Sequence, residues 1–147
     1  MSNEKQGFQE AFDHIFQTVI EEAKKNLAAA EAGTIAIADD APSLKISGDI
    51  EVYEMLDENG NLHQEFSKYA PGVSVDITVV ICSPSDTYSA TLWSSGGGGG
   101  QWENVHINQP YSTRISTSFW SSTKLKIDVN ASSARNVELQ ARVHYSI

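Results

Sequence analysis

The sequence predicts a mainly β protein, an antiparallel β-sandwich of about nine strands preceded by one N-terminal amphipathic α-helix. Three observations carry that prediction. Apolar residues recur at a helical period over residues 4–32, and the period drops to two after Gly33. Short alternating runs then follow one another, separated by turn residues at the spacing of a sandwich or barrel. The 147 residues, 40% of them hydrophobic, suffice for one domain with a real core. The expected organisation is a single domain over 1–147, with the helix at 4–32 and the sandwich at 34–147.

On a wheel of about 100° per residue, Phe8, Phe12, Ile15, Phe16, Val19, Ile20, Ala23 and Leu27 form one stripe. Glu10, Asp13, His14, Gln17, Glu21 and Lys25 fill the rest of the circumference. Gly33 is well placed as the stop. Two sheets can close a core between themselves, so the sandwich does not obviously need this helix. Phe8, Phe12, Ile15, Phe16, Val19 and Ile20 are therefore the expected insertion or partner face.

The strands follow in order. Thr34–Ala38 alternates around Ile35 and Ile37, and Asp39–Pro42 breaks it. Leu44–Leu56 is a long strand with room for a bulge at Ser47-Gly48-Asp49. Asp57–Asn61 holds the Asn-Gly pair of a tight hairpin turn, and Leu62–Ser67 returns. The same turn spaces oxygen ligands at Asp57, Asn59 and Asn61, but its glycine and the residue at Lys68 do not fit a calcium loop. Val73–Ser83 turns apolar on both faces at Val80 and Cys82, as a central strand does. Thr87–Ser94, Trp102–Asn108 and Tyr111–Trp120 come next, the first two joined by Gly96–Gly100, which reads as a flexible hairpin tip. Leu125–Val129 and Val137–Ile147 complete the set.

Charge and chemistry narrow the function. The formal charge is −9, which argues against nucleic acid as a partner. It is also lopsided: residues 1–69 hold 14 acids and 5 Lys/Arg, whereas 70–147 hold 5 of each. The one cysteine, Cys82, rules out an internal disulfide and reads as a buried, inert thiol. Residues 1–20 contain no apolar core of a secretory leader. The expectation is a protein made in the cytosol, then released to act at a target cell membrane. His14, His63, His106 and His144 lack metal-ligand spacing, the glycine run lacks a phosphate-loop ending, and no nucleophile elbow occurs. No enzyme, cofactor or metal is expected.

Antiparallel order puts alternate turns at the same end of a sandwich. The turns at 69–72, 96–100 and 121–123 should share one end. Tyr69, Trp93, Trp102, Phe119 and Trp120 border those turns and would gather as an aromatic pole. Trp93 lies on the polar phase of its strand with Ser89 and Thr91, which favours an outward ring. Such rings suit membrane interfaces, quaternary ammonium groups and sugars.

A helix followed by a β-sandwich with one aromatic-rich end resembles the actinoporin-type cytolysins and the related fungal fruit-body lectins. Val79–Tyr88 is similar to the family's strand leading into a Pro-aromatic-Asp turn: Pro84 and Asp86 match, while Ser85 stands at the aromatic position. The resemblance implies a helix that detaches and inserts, and an aromatic cluster that binds phosphocholine head groups. The leading expectation is a small pore-forming or insecticidal-type toxin, or a component of one, that recognises lipid head groups or glycans through Tyr69, Trp93, Trp102, Phe119 and Trp120. Its partners would be a lipid membrane or glycan, and a homo-oligomer or second protein component. The alternative is a non-lytic, lectin-like carbohydrate-binding module, or an assembly protein joined through the helix.

Overall fold

The computed structural model describes residues 6–31, 47–68, 72–118 and 121–146, with the side chains of 22–31 left aside. The described residues form one helix, α1 (Phe8–Glu31), and eight strands. These are β1 (Ser47–Met55), β2 (Asn61–Lys68), β3 (Ser74–Ser83), β4 (Thr87–Ser94), β5 (Gly99–His106), β6 (Tyr111–Ser116), β7 (Thr123–Ala131) and β8 (Glu138–Ser146). The expected strand at Thr34–Ala38 and the helix stop at Gly33 lie outside the described residues, so eight strands stand where about nine were expected.

The strands form two antiparallel sheets of four, ordered β1-β8-β3-β6 and β2-β7-β4-β5. Alternation decides which side chains face inward. Val75, Ile77, Val79 and Ile81 of β3 and Leu139, Ala141, Val143 and Tyr145 of β8 are buried, while their sequence neighbours face out. The register of β1 on β8 runs unbroken from Ser47 to Met55, so no bulge forms at Ser47-Gly48-Asp49. β3 is central in its sheet, as its two apolar faces suggest. Cys82 is only half-buried there; it shares the outward phase of Val80, and its Sγ lies 3.8 Å from the Val80 carbonyl.

The turns sort to two ends. Gly72 N–H donates to Ser118 O at 3.4 Å, Ser116 N–H to Gly97 O at 2.9 Å, and Ser95 N–H to Lys124 O at 2.9 Å. At the opposite end Asn136 N–H donates to Asp57 O at 3.1 Å and Ala131 N–H to Gly60 O at 2.8 Å. There the Asp57 carboxylate accepts from Asn59 N–H and Asn61 N–H, both at 2.8 Å, and so closes the turn from within.

The placement of α1 corrects the expectation of a helix that the sandwich does not need. Phe8, Ala11, Phe12, Ile15, Phe16 and Val19 belong to the same buried core as both sheets, with Ile20 packed at its margin. The Phe12 ring lies 6.1 Å from Phe66 of β2 and 6.3 Å from Phe16. Phe8 and Phe12 also line a small void with Val79, Leu92, Tyr111 and Ile127, which come from both sheets. β1 and β2 are edge strands of opposite sheets, and α1 packs against both, so without it the sandwich would gape there. α1 fills that gap, and Gln6 O accepts from Tyr53 N–H at 2.8 Å to cover the free edge of β1.

Candidate functional site

The outer face of the β2-β7-β4-β5 sheet is built from the polar phase of its strands. Register sets its rows. Asn61, Asn130 and Ser89 lie side by side; His63, Asp128, Thr91 and Gln101 make the next row; Glu65, Lys126, Trp93 and Gly99 make the third. Adjacent members are joined: His63 Nδ1 contacts the Asp128 carboxylate, Asn130 donates to Asn61, and Lys126 Nζ lies 3.5 Å from Glu65.

Trp93 is the one large apolar side chain of these rows and is 42% exposed. Its neighbour across the strand pair is Gly99, which has no side chain to shade the indole. On the other side the Lys126 ammonium sits 5.1 Å from the ring centroid, within reach of a cation–π attraction.

One row away from this ring, from Thr91 onward, the surface is concave. A depression of about 380 Å³ is lined by Asp57, Asn61, His63, Ser89, Thr91 and Asp128, among others. A second, of about 580 Å³, is lined by Tyr53, Glu54, Met55, His63, Gln64 and Glu138, among others, and opens over the β1–β2 corner. The two lie on either side of Asp57, Asn61, Leu62 and His63, which line both. Glu54 lines the second. Desolvation by burial pushes its carboxyl above the usual range, opposed by the hydrogen bond from Phe8 N–H and reinforced by the charge of Glu10. Among the described residues, no group of three or more His, Cys, Asp or Glu could hold a metal ion.

The expected aromatic pole is divided. Trp93 faces out, but Trp102 pairs with Ala90 and shares its inward phase. Its ring is half-buried, with its centroid 4.6 Å from that of Tyr111. Strand alternation thus puts the two indoles on opposite faces of one sheet, and they do not form one surface. Tyr69, Phe119 and Trp120 lie outside the described residues. Of the helix face, Phe8, Phe12, Ile15, Phe16 and Val19 are buried and Ile20 is half-buried. His63, Asp128, Asn61, Asn130, Thr91 and Lys126 did not emerge from sequence reasoning. Their polar phase was readable, but the order that sets β2 beside β7 and β7 beside β4 was not.

No protein-family model and no curated protein matches the chain. Among solved structures it is similar to the P-domain of Macrobrachium rosenbergii nodavirus, with a TM-score of 0.38 and 9% identity over 66% of this chain and 91% of that one. It is also similar to a structure of infectious bursal disease virus, Gx strain, with a TM-score of 0.36 and 12% identity, covering 77% of this chain and 35% of that one. Likenesses this loose bear on neither activity nor ligand.

Proposed function

We propose that this chain is a non-lytic carbohydrate-binding module that stacks a sugar ring on Trp93 and reads its hydroxyls with the polar rows alongside. The observation that carries this reading is an exposed indole set in a polar, partly concave sheet face. The C–H face of a pyranose suits the apolar face of a Trp ring. Its hydroxyls need donors and acceptors close by, and Thr91, Asp128, His63, Asn61 and Gln101 supply both kinds.

One feature favours this over an inserting toxin. Insertion of α1 would strip Phe8, Phe12, Ile15 and Phe16 from the core. At about 2 kcal/mol each, that loss is on the order of 8 kcal/mol, which is comparable to the whole stability of an ordinary domain. No helix among the described residues is long and apolar enough to cross a membrane.

The test is a panel of immobilised glycans, probed with the wild-type chain and Trp93→Ala, alongside dye release from phosphatidylcholine vesicles. Glycan retention that Trp93→Ala abolishes, without dye release, is the expected result. A wild-type chain that retains no glycan, or one whose binding survives Trp93→Ala, would overturn the proposal. Dye release by the wild type would favour the toxin reading instead.

A further inference from the structure

The rows around Trp93 specify the charge of the sugar, an inference that rests on the carbohydrate reading above. A ligand that takes the face of the Trp93 ring meets the Lys126 ammonium, 5.1 Å from the centroid. A neutral sugar has to move that cation aside and offers it no counter-charge. A sugar that carries an anion pairs with it. Glu65 already lies 3.5 Å from the Lys126 Nζ, with the two side chains 41% and 42% exposed. An exposed pair of this kind is weak, so Lys126 is able to change partners.

Strand phase sets a second cation beside the first. Lys124 stands two residues before Lys126 on the outer face of β7, about 7 Å away along the strand. It is exposed, and among the described residues its ammonium has no carboxylate partner. Ser67 of β2 pairs with it on one side, and on the other Ser95 N–H donates to Lys124 O at 2.9 Å. This row adjoins that of Glu65, Lys126 and Trp93, so two cations face one carboxylate across the two rows. On the other side of Trp93 the sign reverses at Asp128, which pairs in register with Thr91 and is engaged by His63. The face is therefore polarised along the strands: cationic toward the glycine run, and hydrogen-bonding or acidic beyond Trp93.

We infer that the ligand is a short acidic oligosaccharide whose ring covers Trp93, with its carboxylate or sulfate toward Lys126 and Lys124 and its hydroxyls toward Thr91 and Asp128. Either anion presents oxygen acceptors to an ammonium, and the charge on both partners strengthens the bond. The chain as a whole carries −9, which repels a long polyanion, whereas a single anionic group needs only this patch.

The experiment is calorimetric titration at low ionic strength, after the immobilised panel, with pairs of oligosaccharides that differ in charge alone. Trigalacturonate and sialyllactose, each against its methyl ester, test the carboxylate; a sulfated N-acetyllactosamine against N-acetyllactosamine tests the sulfate. The charged member of at least one pair should bind about fivefold or more tighter, and added NaCl should narrow that gap. Lys126→Gln and Lys124→Gln should each shrink the gap, whereas Glu65→Gln, which removes the competing carboxylate, should widen it. Trp93→Ala should weaken both members. Binding that depends on Trp93 but is equally tight within every pair, or a gap that both lysine variants leave unchanged, would overturn this inference and leave the carbohydrate reading standing. So would retention confined to neutral glycans on the panel. Binding of charged sugars that survives Trp93→Ala is capture by charge alone and would sink both, as would no binding to any glycan.

Discussion

The carboxylate of Glu54 caps α1 from a neighbouring strand: Phe8 N–H donates to Glu54 Oε2 at 2.7 Å. The first N–H groups of a helix have no partner within it. Here β1 supplies one and Glu10 supplies another, accepting from Gly7 N–H at 2.8 Å. The contact fixes where α1 enters the sandwich. It is also strained by charge, since burial and Glu10 together hold the Glu54 carboxyl above its ordinary value of 4.5. A group with a raised pKa in the folded state contributes stability below its unfolded pKa. That contribution is lost as pH rises through the folded value. Glu54→Gln keeps an acceptor for Phe8 and has no charge to desolvate. It should melt at or above the wild-type temperature at pH 7, and the difference should shrink below about pH 4.5. Glu54→Ala leaves Phe8 N–H without its cap and should cost about 1 kcal/mol at either pH. Thermal melts of the three chains at both pH values decide the matter.

Phe12 should behave as a core residue of the sandwich. It is 1% exposed and packs against Phe66 and Phe16. Phe12→Ala should lose about 3–5 kcal/mol in urea unfolding, from lost transfer energy and the cavity left behind. A helix that merely rests on a finished sandwich would give less than about 1 kcal/mol, the range of an ordinary surface change.

What the sequence made legible follows from periodicity. Val75 to Ile81 and Leu139 to Tyr145 alternate so regularly that strand identity and inward face could both be read. Grouping of the turns at two ends also followed, because antiparallel order alone implies it. Three things did not follow. The stripe of Phe8, Phe12 and Phe16 is the same whether it faces a membrane or the chain's own edge strands, since periodicity names a face and not its partner. Trp102 was grouped with Trp93 because both flank the glycine run, whereas register places them three positions out of phase across β4 and β5. The depression on the outer sheet face depends on pairs such as Asn61 with Asn130 and His63 with Asp128, each about 65 or more residues apart in the chain.

Asp86 should be the acid-sensitive clasp of the end opposite the glycine run. Its carboxylate accepts from Thr87 N–H at 2.7 Å, Ser133 N–H at 3.0 Å and Ala134 N–H at 2.7 Å, and from the Ser132 hydroxyl. These bonds tie the turn after β3 to the loop after β7. Desolvation raises the carboxyl, but the hydrogen bonds from Ser132, Ala134, Thr87 and Ser133 together outweigh it and hold the pKa at about 2, against an ordinary 3.8. A depressed pKa contributes stability above the unfolded value, and that contribution is lost as pH falls through the folded value. The wild type should therefore lose stability between about pH 4 and pH 2. Asp86→Asn should be less stable at neutral pH, by on the order of 1 kcal/mol after solvent screening. Its stability should fall less over that acid range, as followed by circular dichroism across a pH series.

Gly98 tests whether the glycine run is a flexible tip or a fitted part of the fold. The run lies against β6: Gly98 bridges Ile115, Gly97 N–H donates to Ser94 O at 3.1 Å, and Ser94 N–H donates to Gly98 O at 3.3 Å. Gly98 has φ +86°, and a Cβ there would collide with the Arg114 carbonyl oxygen. Gly97 also has a positive φ, +124°, but its nearest neighbour would be the Ser116 Cβ at 3.9 Å. Backbone strain alone costs about 1–2 kcal/mol when alanine replaces a left-handed glycine. Gly97→Ala should lose about that much. Gly98→Ala must also push the glycine run off β6, and it should lose more than Gly97→Ala by at least about 1 kcal/mol. The shift would also reach Gly99, one residue on and opposite Trp93. Urea melts of both variants measure the difference; equal and small losses would mean that the run is a loose tip with no fixed seat on β6.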